Sequence, residues 1–273
     1  MDSANSDRPF TPSSNGTILL TRTENQSRSL QQKLEESGFT VLNQPVIEIL
    51  PVDDYSEIDS FLSRLNEFDW LIFSSSNGVR FFLDRFFAPE QKTGHEKQKS
   101  WARLRQNGLK IAAMGPGTAG TVSEYGLPVD LIPDRFCAEG MAAALTEEAH
   151  RHKRFLSLRA SRGRQVLSRQ LSASGGVFSE LVVYQSRDVT VPDQSIRQKM
   201  ETGRIDAVTV TSSAGAKSLI AMFGDSLKKT RLVAISSLTG DTIREAGFPV
   251  LLADEASEEG LVARLQKLFR QGI

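Results

Sequence analysis

Asp69-Trp-Leu-Ile-Phe-Ser-Ser-Ser-Asn-Gly78 returns 137 residues later as Asp206-Ala-Val-Thr-Val-Thr-Ser-Ser-Ala-Gly215. Each copy reads as a short apolar strand, a hydroxyl-rich turn and a glycine that opens a helix. Working outward at the same offset, Thr21-Arg22, Leu30, Leu34 and Gly38 recur as Leu158-Arg159, Leu167, Leu171 and Gly175. Further along the offset drops to 121. Met114-Gly-Pro-Gly-Thr118 then aligns with Ile235-Ser-Ser-Leu-Thr239, and Gly126-Leu-Pro-Val129 with Gly247-Phe-Pro-Val250. The first copy therefore carries a net insertion of 16 residues, placed in the polar stretch 91–106 and read as surface loop with some helix. Two similar α/β units imply one cleft between them.

The rest of the chain alternates strand and helix. In the first copy, strands are expected at 17–21, 70–73, 109–114 and 129–132, an extended run at 39–52, and helices at 24–37, 78–87, 118–125 and 138–149. Leu30 and Leu34 share one helical face, and Gly38 is placed to end that helix. The second copy repeats the order from residue 155 to residue 271. Strands alternating with helices of this length predict an α/β fold with parallel sheets and helices on both faces.

Composition narrows the function classes. At 273 residues two ordinary domains are expected, and 33 basic residues balance 33 acidic ones. This balance disfavours a broad nucleic-acid or membrane surface, so attraction for an anion must be local. The single cysteine, Cys137, allows no internal disulfide and no thiol cluster; its counterpart is Ser257, and a small buried residue in a reducing cytoplasm is expected. No apolar run reaches membrane-spanning length, and residues 1–16, rich in Ser, Asn, Asp and Pro, are expected to be disordered.

Hydroxyls stand where strands hand over to helices: Ser74-Ser75-Ser76-Asn77, Gly115-Pro-Gly-Thr118, Thr211-Ser212-Ser213 and Ser236-Ser-Leu-Thr239. Ser and Thr are the best N-caps, which explains any one junction. Four related junctions favour a shared anion-binding rim, because helix amino ends carry unpaired N–H groups and a favourable dipole. Gly115-Pro-Gly117-Thr-Ala-Gly120 also fits the dinucleotide pattern, but it lies in mid-unit with a proline in the turn. A nucleotide-dependent oxidoreductase is thus an alternative, as is a two-domain small-molecule binding protein. His95, His150 and His152 have no nucleophile beside them and are expected to be exposed; no metal-ligand spacing occurs. An enzyme of this composition works by orienting a reactive substrate, helped at most by a mild acid.

Taken in order, Ile18-Leu-Leu-Thr-Arg22, Pro45-Val-Ile-Glu-Ile49, Asp69 to Val79, Met114 to Thr118, Gly126 to Val129, Ala138-Glu-Gly140, Val183-Tyr-Gln-Ser186 and Gly247 to Val250 resemble the uroporphyrinogen-III synthase family. The resemblance spans residues 17–270. It implies two similar doubly wound domains, one discontinuous (1–40 with 190–273) and one inserted (54–176), joined by extended linker strands at 41–53 and 177–189 that act as a hinge.

The implied reaction closes the linear tetrapyrrole hydroxymethylbilane to uroporphyrinogen III, with loss of water and inversion of ring D through azafulvene and spiro intermediates. No cofactor or metal is implied. The implied protein is a cytoplasmic monomer that at most meets the preceding pathway enzyme transiently. Tyr184 matches the family's tyrosine and is the candidate catalytic residue; the first copy has Ile47 in its place. Candidate substrate contacts are Arg22, Ser75, Ser76, Asn77, Thr118, Ser212, Ser213 and Thr239, with Arg80 and Lys217 ranked lower. Two departures stand out: Ser236-Ser237-Leu238 replaces the family's Gly-Pro, and relatives often carry another polar or basic residue where this chain has Asn77.

Overall fold

The computed structural model describes residues 16–88, 94–163 and 165–270. Apart from Gly16, the tail expected to be disordered lies outside these residues. Strands in chain order are β1 (Thr17–Leu20), β2 (Thr40–Asn43), β3 (Ile47–Leu50), β4 (Trp70–Phe73), β5 (Lys110–Ala113), β6 (Arg154–Ala160), β7 (Val177–Asp188), β8 (Ala207–Val210), β9 (Arg231–Ala234) and β10 (Val250–Leu252). Helices are α1 (Glu24–Glu36), α2 (Ser56–Ser63), α3 (Ser76–Phe87), α4 (Gly94–Gln106), α5 (Pro116–Glu124), α6 (Ala138–His150), α7 (Val166–Ala173), α8 (Gln194–Glu201), α9 (Ser213–Phe223), α10 (Ser237–Glu245) and α11 (Glu258–Arg270).

Contacts divide the chain into two compact units, Met1–Glu48 with Arg187–Ile273 and Ile49–Ser186. The first unit holds a five-stranded sheet in the order β10-β9-β8-β1-β2, parallel throughout. The second sheet has the order β3-β7-β6-β4-β5, and its β7-β6, β6-β4 and β4-β5 pairs are parallel. The stretches expected as linkers, 41–53 and 177–189, hold β2 with β3 and β7 respectively. They correspond at an offset of 137, yet β7 runs unbroken where β2 and β3 are separated. Pro45 supplies the reason: it has no N–H to give a ladder.

Both faces of each sheet are buried, as parallel strands require. In β1, Leu19 packs into one core with Val208, Val210 and Leu232, while Ile18 and Leu20 pack into the opposite core with Val233, Leu261 and Leu265. In the second unit, Leu71 and Phe73 face Phe82, Leu156 and Leu158, and Trp70 and Ile72 face Met141, Leu145 and Phe155. Gly38 (φ +86°) and Gly175 (φ +90°) end their helices in the left-handed region that favours glycine.

The internal repeat is visible bond by bond. Asp69 accepts the backbone N–H of Arg154 at 2.8 Å, and Asp206 accepts that of Thr17 at 2.7 Å, so a carboxylate stitches equivalent strands in each unit. Cys137 is half-buried and its sulfur accepts the Gly140 N–H at 3.4 Å, while Ser257 caps Gly260 at 3.0 Å. The thiol is therefore a helix cap, where a plain buried residue was expected.

Other expectations need correction. Residues 129–132 form only one bridge, Leu131 to Ala112, although their counterpart is the strand β10. The Asp130 carboxylate takes the Ile111 N–H at 2.7 Å, the bond a neighbouring strand would accept, and Pro133 follows directly. Helices α2 and α8 were not foreseen. The insertion holds α4, which buries Trp101 edge-on against Phe86.

This packing can be tested at two glycines and one carboxylate. A Cβ at Gly260 would lie 2.3 Å from the Glu255 backbone oxygen, whereas one at Gly120 meets nothing within 4 Å. Gly260→Ala is expected to destabilise the protein by about 1–3 kcal/mol, and Gly120→Ala to leave it unchanged or stabilise it by up to about 1 kcal/mol; urea unfolding midpoints compare them. Burial alone would raise the Asp69 pKa, but the Arg154 N–H and the Lys153 ammonium at 2.9 Å hold it below the ordinary value. A carboxyl depressed in the folded state stabilises fully above its unfolded pKa of about 3.9 and loses that contribution as pH falls through the folded value. Asp69→Asn should therefore lower stability at pH 7 and narrow the gap to wild type in acid, read from melting temperatures between pH 7 and pH 2.

Candidate active site

Because the strands carrying them are parallel, the four hydroxyl-bearing turns fall at strand carboxyl ends, along one edge of each sheet. In the second unit β4 and β5 are neighbours, so their turns lie side by side. Ser75 is the N-cap of α3, its Oγ accepting the Gly78 N–H at 3.2 Å. Ser76 Oγ donates to the Gly117 carbonyl at 3.2 Å, joining the β4 turn to the β5 turn, where Thr118 is buried. Asn77 is half-buried beside them at the start of α3.

Tyr184 reaches the same place from β7. Its hydroxyl stands 3.0 Å from Ser75 Oγ, and its ring, only 7 % exposed, stacks on Phe81 of α3 with centroids 5.5 Å apart. An irregularity between β6 and β7 at Arg159/Ala160 sets Tyr184 opposite Ala160, and Tyr184 O accepts the Ser161 N–H at 2.9 Å. Since Ser75 Oγ already accepts from Gly78, its own proton is directed elsewhere. It can donate to the tyrosine oxygen and leave the Tyr184 proton for a third group. The structure thus groups Ser75, Ser76, Thr118 and Tyr184 within one unit.

The first unit repeats the arrangement without the tyrosine. Ser212 caps α9 through the Gly215 N–H at 3.0 Å, and Ser213 Oγ donates to the Leu238 carbonyl at 3.2 Å. Leu238 corresponds to Gly117 at the offset of 121, so the two turn-to-turn bonds are equivalent. Thr239 is buried with its Oγ1 3.2 Å from Ser236 Oγ. Ser236 caps α10, its Oγ accepting the Thr239 N–H, the capping expected of a hydroxyl at this junction. Where the first copy opens its helix on Gly115-Pro116 without a side-chain cap, Ser236-Ser237 supplies one. Phe81 was missed, having no feature in sequence beyond its place one turn into α3.

Arg22 lies just beyond β1, half-buried, and makes no hydrogen bond to Ser212, Ser213 or Thr239. Burial lowers its pKa from the ordinary arginine value, and Glu258 works against that. A desolvated guanidinium at a strand end gains most from an anion that replaces its lost water. Arg80 is occupied by Glu124 at 2.9 Å, and Lys217 is exposed.

The dinucleotide reading meets a geometric objection. Such sites need glycine for a tight turn and for close helix–strand packing. Here Gly115 is extended (φ −170°), a conformation open to any residue, a Cβ at Gly120 would meet nothing within 4 Å, and Pro116 simply opens α5. His150 and His152 are exposed, and the His95 side chain lies outside the described residues. Among the described residues no three His, Cys, Asp or Glu side chains converge as metal ligands, and no helix is long and apolar enough to cross a membrane.

Comparison with known proteins identifies the family and the fold. A protein-family profile, Uroporphyrinogen-III synthase HemD, matches residues 28–263. A uroporphyrinogen-III synthase of Synechococcus elongatus is 26% identical over 265 residues, covering 93% of this chain and 96% of its own. One of Chlorobaculum parvum is 24% identical, over 88% of this chain and 93% of its own. Among solved structures, a mutant uroporphyrinogen III synthase of the extremely thermophilic bacterium Thermus thermophilus superposes with a TM-score of 0.64 at 18% identity, covering 94% of this chain and 100% of its own. The Helicobacter pylori uroporphyrinogen-III synthetase gives 0.62 at 19%, over 93% and 99%. With the profile matching most of its length and the same two-sheet α/β fold, the chain belongs to the uroporphyrinogen-III synthase family.

Proposed function

We propose that the protein closes hydroxymethylbilane to uroporphyrinogen III in haem biosynthesis. The family profile over residues 28–263 carries this reading. The substrate supplies its own reactivity: a pyrrole nitrogen expels the terminal hydroxyl, which leaves as water once protonated, and an azafulvene remains. The substituted carbon of ring D attacks it to give a spiro intermediate, which fragments and recloses with ring D inverted. The protein's task is to fold the chain so that the crowded carbon attacks, and to keep water from the cation. A site of serines, threonines and helix amino ends suits that task, since the substrate's carboxylates need N–H and O–H donors more than strong acids or bases.

In this reading Tyr184 protonates or orients the departing hydroxyl, and Ser75, 3.0 Å from it, fixes the direction of its proton. Ser76, Asn77 and Thr118 in one unit, and Arg22, Ser212, Ser213 and Thr239 in the other, hold acetate and propionate groups. We further read the protein as a cytoplasmic monomer that needs no cofactor and meets the enzyme supplying its substrate only in passing.

Two measurements test this. Freshly generated hydroxymethylbilane, incubated with the protein and oxidised, should give mainly the type III porphyrin on chromatography; only type I, as without protein, would falsify the reading. Tyr184→Phe should lower turnover about a hundredfold while retaining the type III product, and a wild-type rate removes Tyr184 from the chemistry. Ser75→Ala and Ser212→Ala each lose a helix cap worth about 1 kcal/mol. Ser75→Ala should cost about 0.5–1.5 kcal/mol more in urea unfolding, because the Tyr184 hydroxyl loses its partner too.

A further inference from the structure

A concavity lies at the end of β9 away from Ser236 and Thr239. It has a volume of about 420 Å³ and sits in the first unit, where the amino ends of β9 and β10 meet the last turns of α11. Leu251 and Leu268 contribute apolar wall, and three cationic side chains, Arg231, Arg264 and Lys267, line it with no acidic residue among the lining groups. Asp254 stands nearby and accepts Lys267, so that lysine is engaged. Arg264 differs. Its Nε is buried without a hydrogen-bond partner, and among the described residues no ion pair closes on its guanidinium; Asp254 is only within electrostatic reach.

Thr230 adds an independent observation. It precedes β9, is 9 % exposed, and its Oγ1 is buried with no partner. Most buried polar atoms in folded proteins are paired, so an unpaired hydroxyl and an unpaired guanidinium N–H on two residues that line one concavity stand out as donors without an acceptor. A carboxylate supplies several lone pairs and the opposite charge, and an attached apolar body would cover Leu251 and Leu268. We propose that this pocket binds a small amphiphilic carboxylate, its head on Arg264 and Thr230 and its apolar body along Leu251 and Leu268. The roughly 10 Å length of β9 separates it from the turn bearing Thr239. It is a different site from the one proposed for the reaction.

Isothermal titration calorimetry of the full chain with sodium octanoate tests the proposal, with octan-1-ol and inorganic phosphate each supplying one feature alone. Octanoate should bind saturably and more tightly than either control. Arg264→Leu should weaken it about tenfold and Thr230→Val about threefold. Thr230→Val removes an unpaired interior hydroxyl and so keeps the fold, which leaves the test decisive even if Arg264→Leu unfolds. No saturable octanoate binding, equal binding of octan-1-ol, equal binding of phosphate, or an affinity unchanged in Thr230→Val and any folded Arg264→Leu protein overturns the proposal. None of these readouts depends on enzymatic turnover.

Discussion

Strand β1 is hydrogen-bonded on both sides, to β2 through Thr17–Leu20 and to β8 through Ile18, Leu19 and Leu20, nearly 190 residues further on. This pairing makes the first unit discontinuous. It also places β1 and β8 side by side and parallel, which forces helices onto both faces and sends every strand-to-helix turn to the same edge of the sheet. Ser212, Thr239 and Arg22 share that edge for this reason and for no reason local to their own segments. In the second unit the β6–β4 pairing does the same for Ser75 and brings Tyr184 in from the adjoining β7.

Much of this was legible in the chain because duplication prints each structural demand twice. The matching of Asp69 with Asp206, and the change of offset before Met114, were enough to align turns that the structure joins by equivalent bonds, Ser76 to Gly117 and Ser213 to Leu238. The failures have physical causes. Helix α8 is only eight residues long, and its signal was an Asp193 cap with Ile196 and Met200 four apart, easily lost beside stronger runs. Residues 129–132 have a strand's composition, but the Asp130 side chain takes the place of a ladder carbonyl. Periodicity sees apolar spacing and is blind to a side chain that imitates backbone.

The site was legible in kind more than in arrangement. Hydroxyl residues at the junctions could be named from sequence, whereas the pairing of Ser75 with Tyr184 joins residues 109 apart and depends on the irregular register of β6 and β7. No local pattern reports such a contact. The tyrosine itself was named through the family resemblance of Val183-Tyr-Gln-Ser186, and Ile47 at its place in the first copy shows only that the crossover strand does not of itself demand a tyrosine.

The discontinuity set by β1 also orders the assembly of the chain in time. Residues 49–186 are contiguous, so that unit has all its strands but β3's first residues within one stretch and can close as soon as Ser186 is available. The first unit cannot. Its β1 and β2 are made early, yet Ile18, Leu19 and Leu20 keep an open, apolar strand edge until Ala207–Val210 arrives. An edge of that kind is a template for pairing with another chain. The contiguous unit, folding in between, shortens the distance over which the late strand must search and thereby acts as a scaffold for its discontinuous sibling.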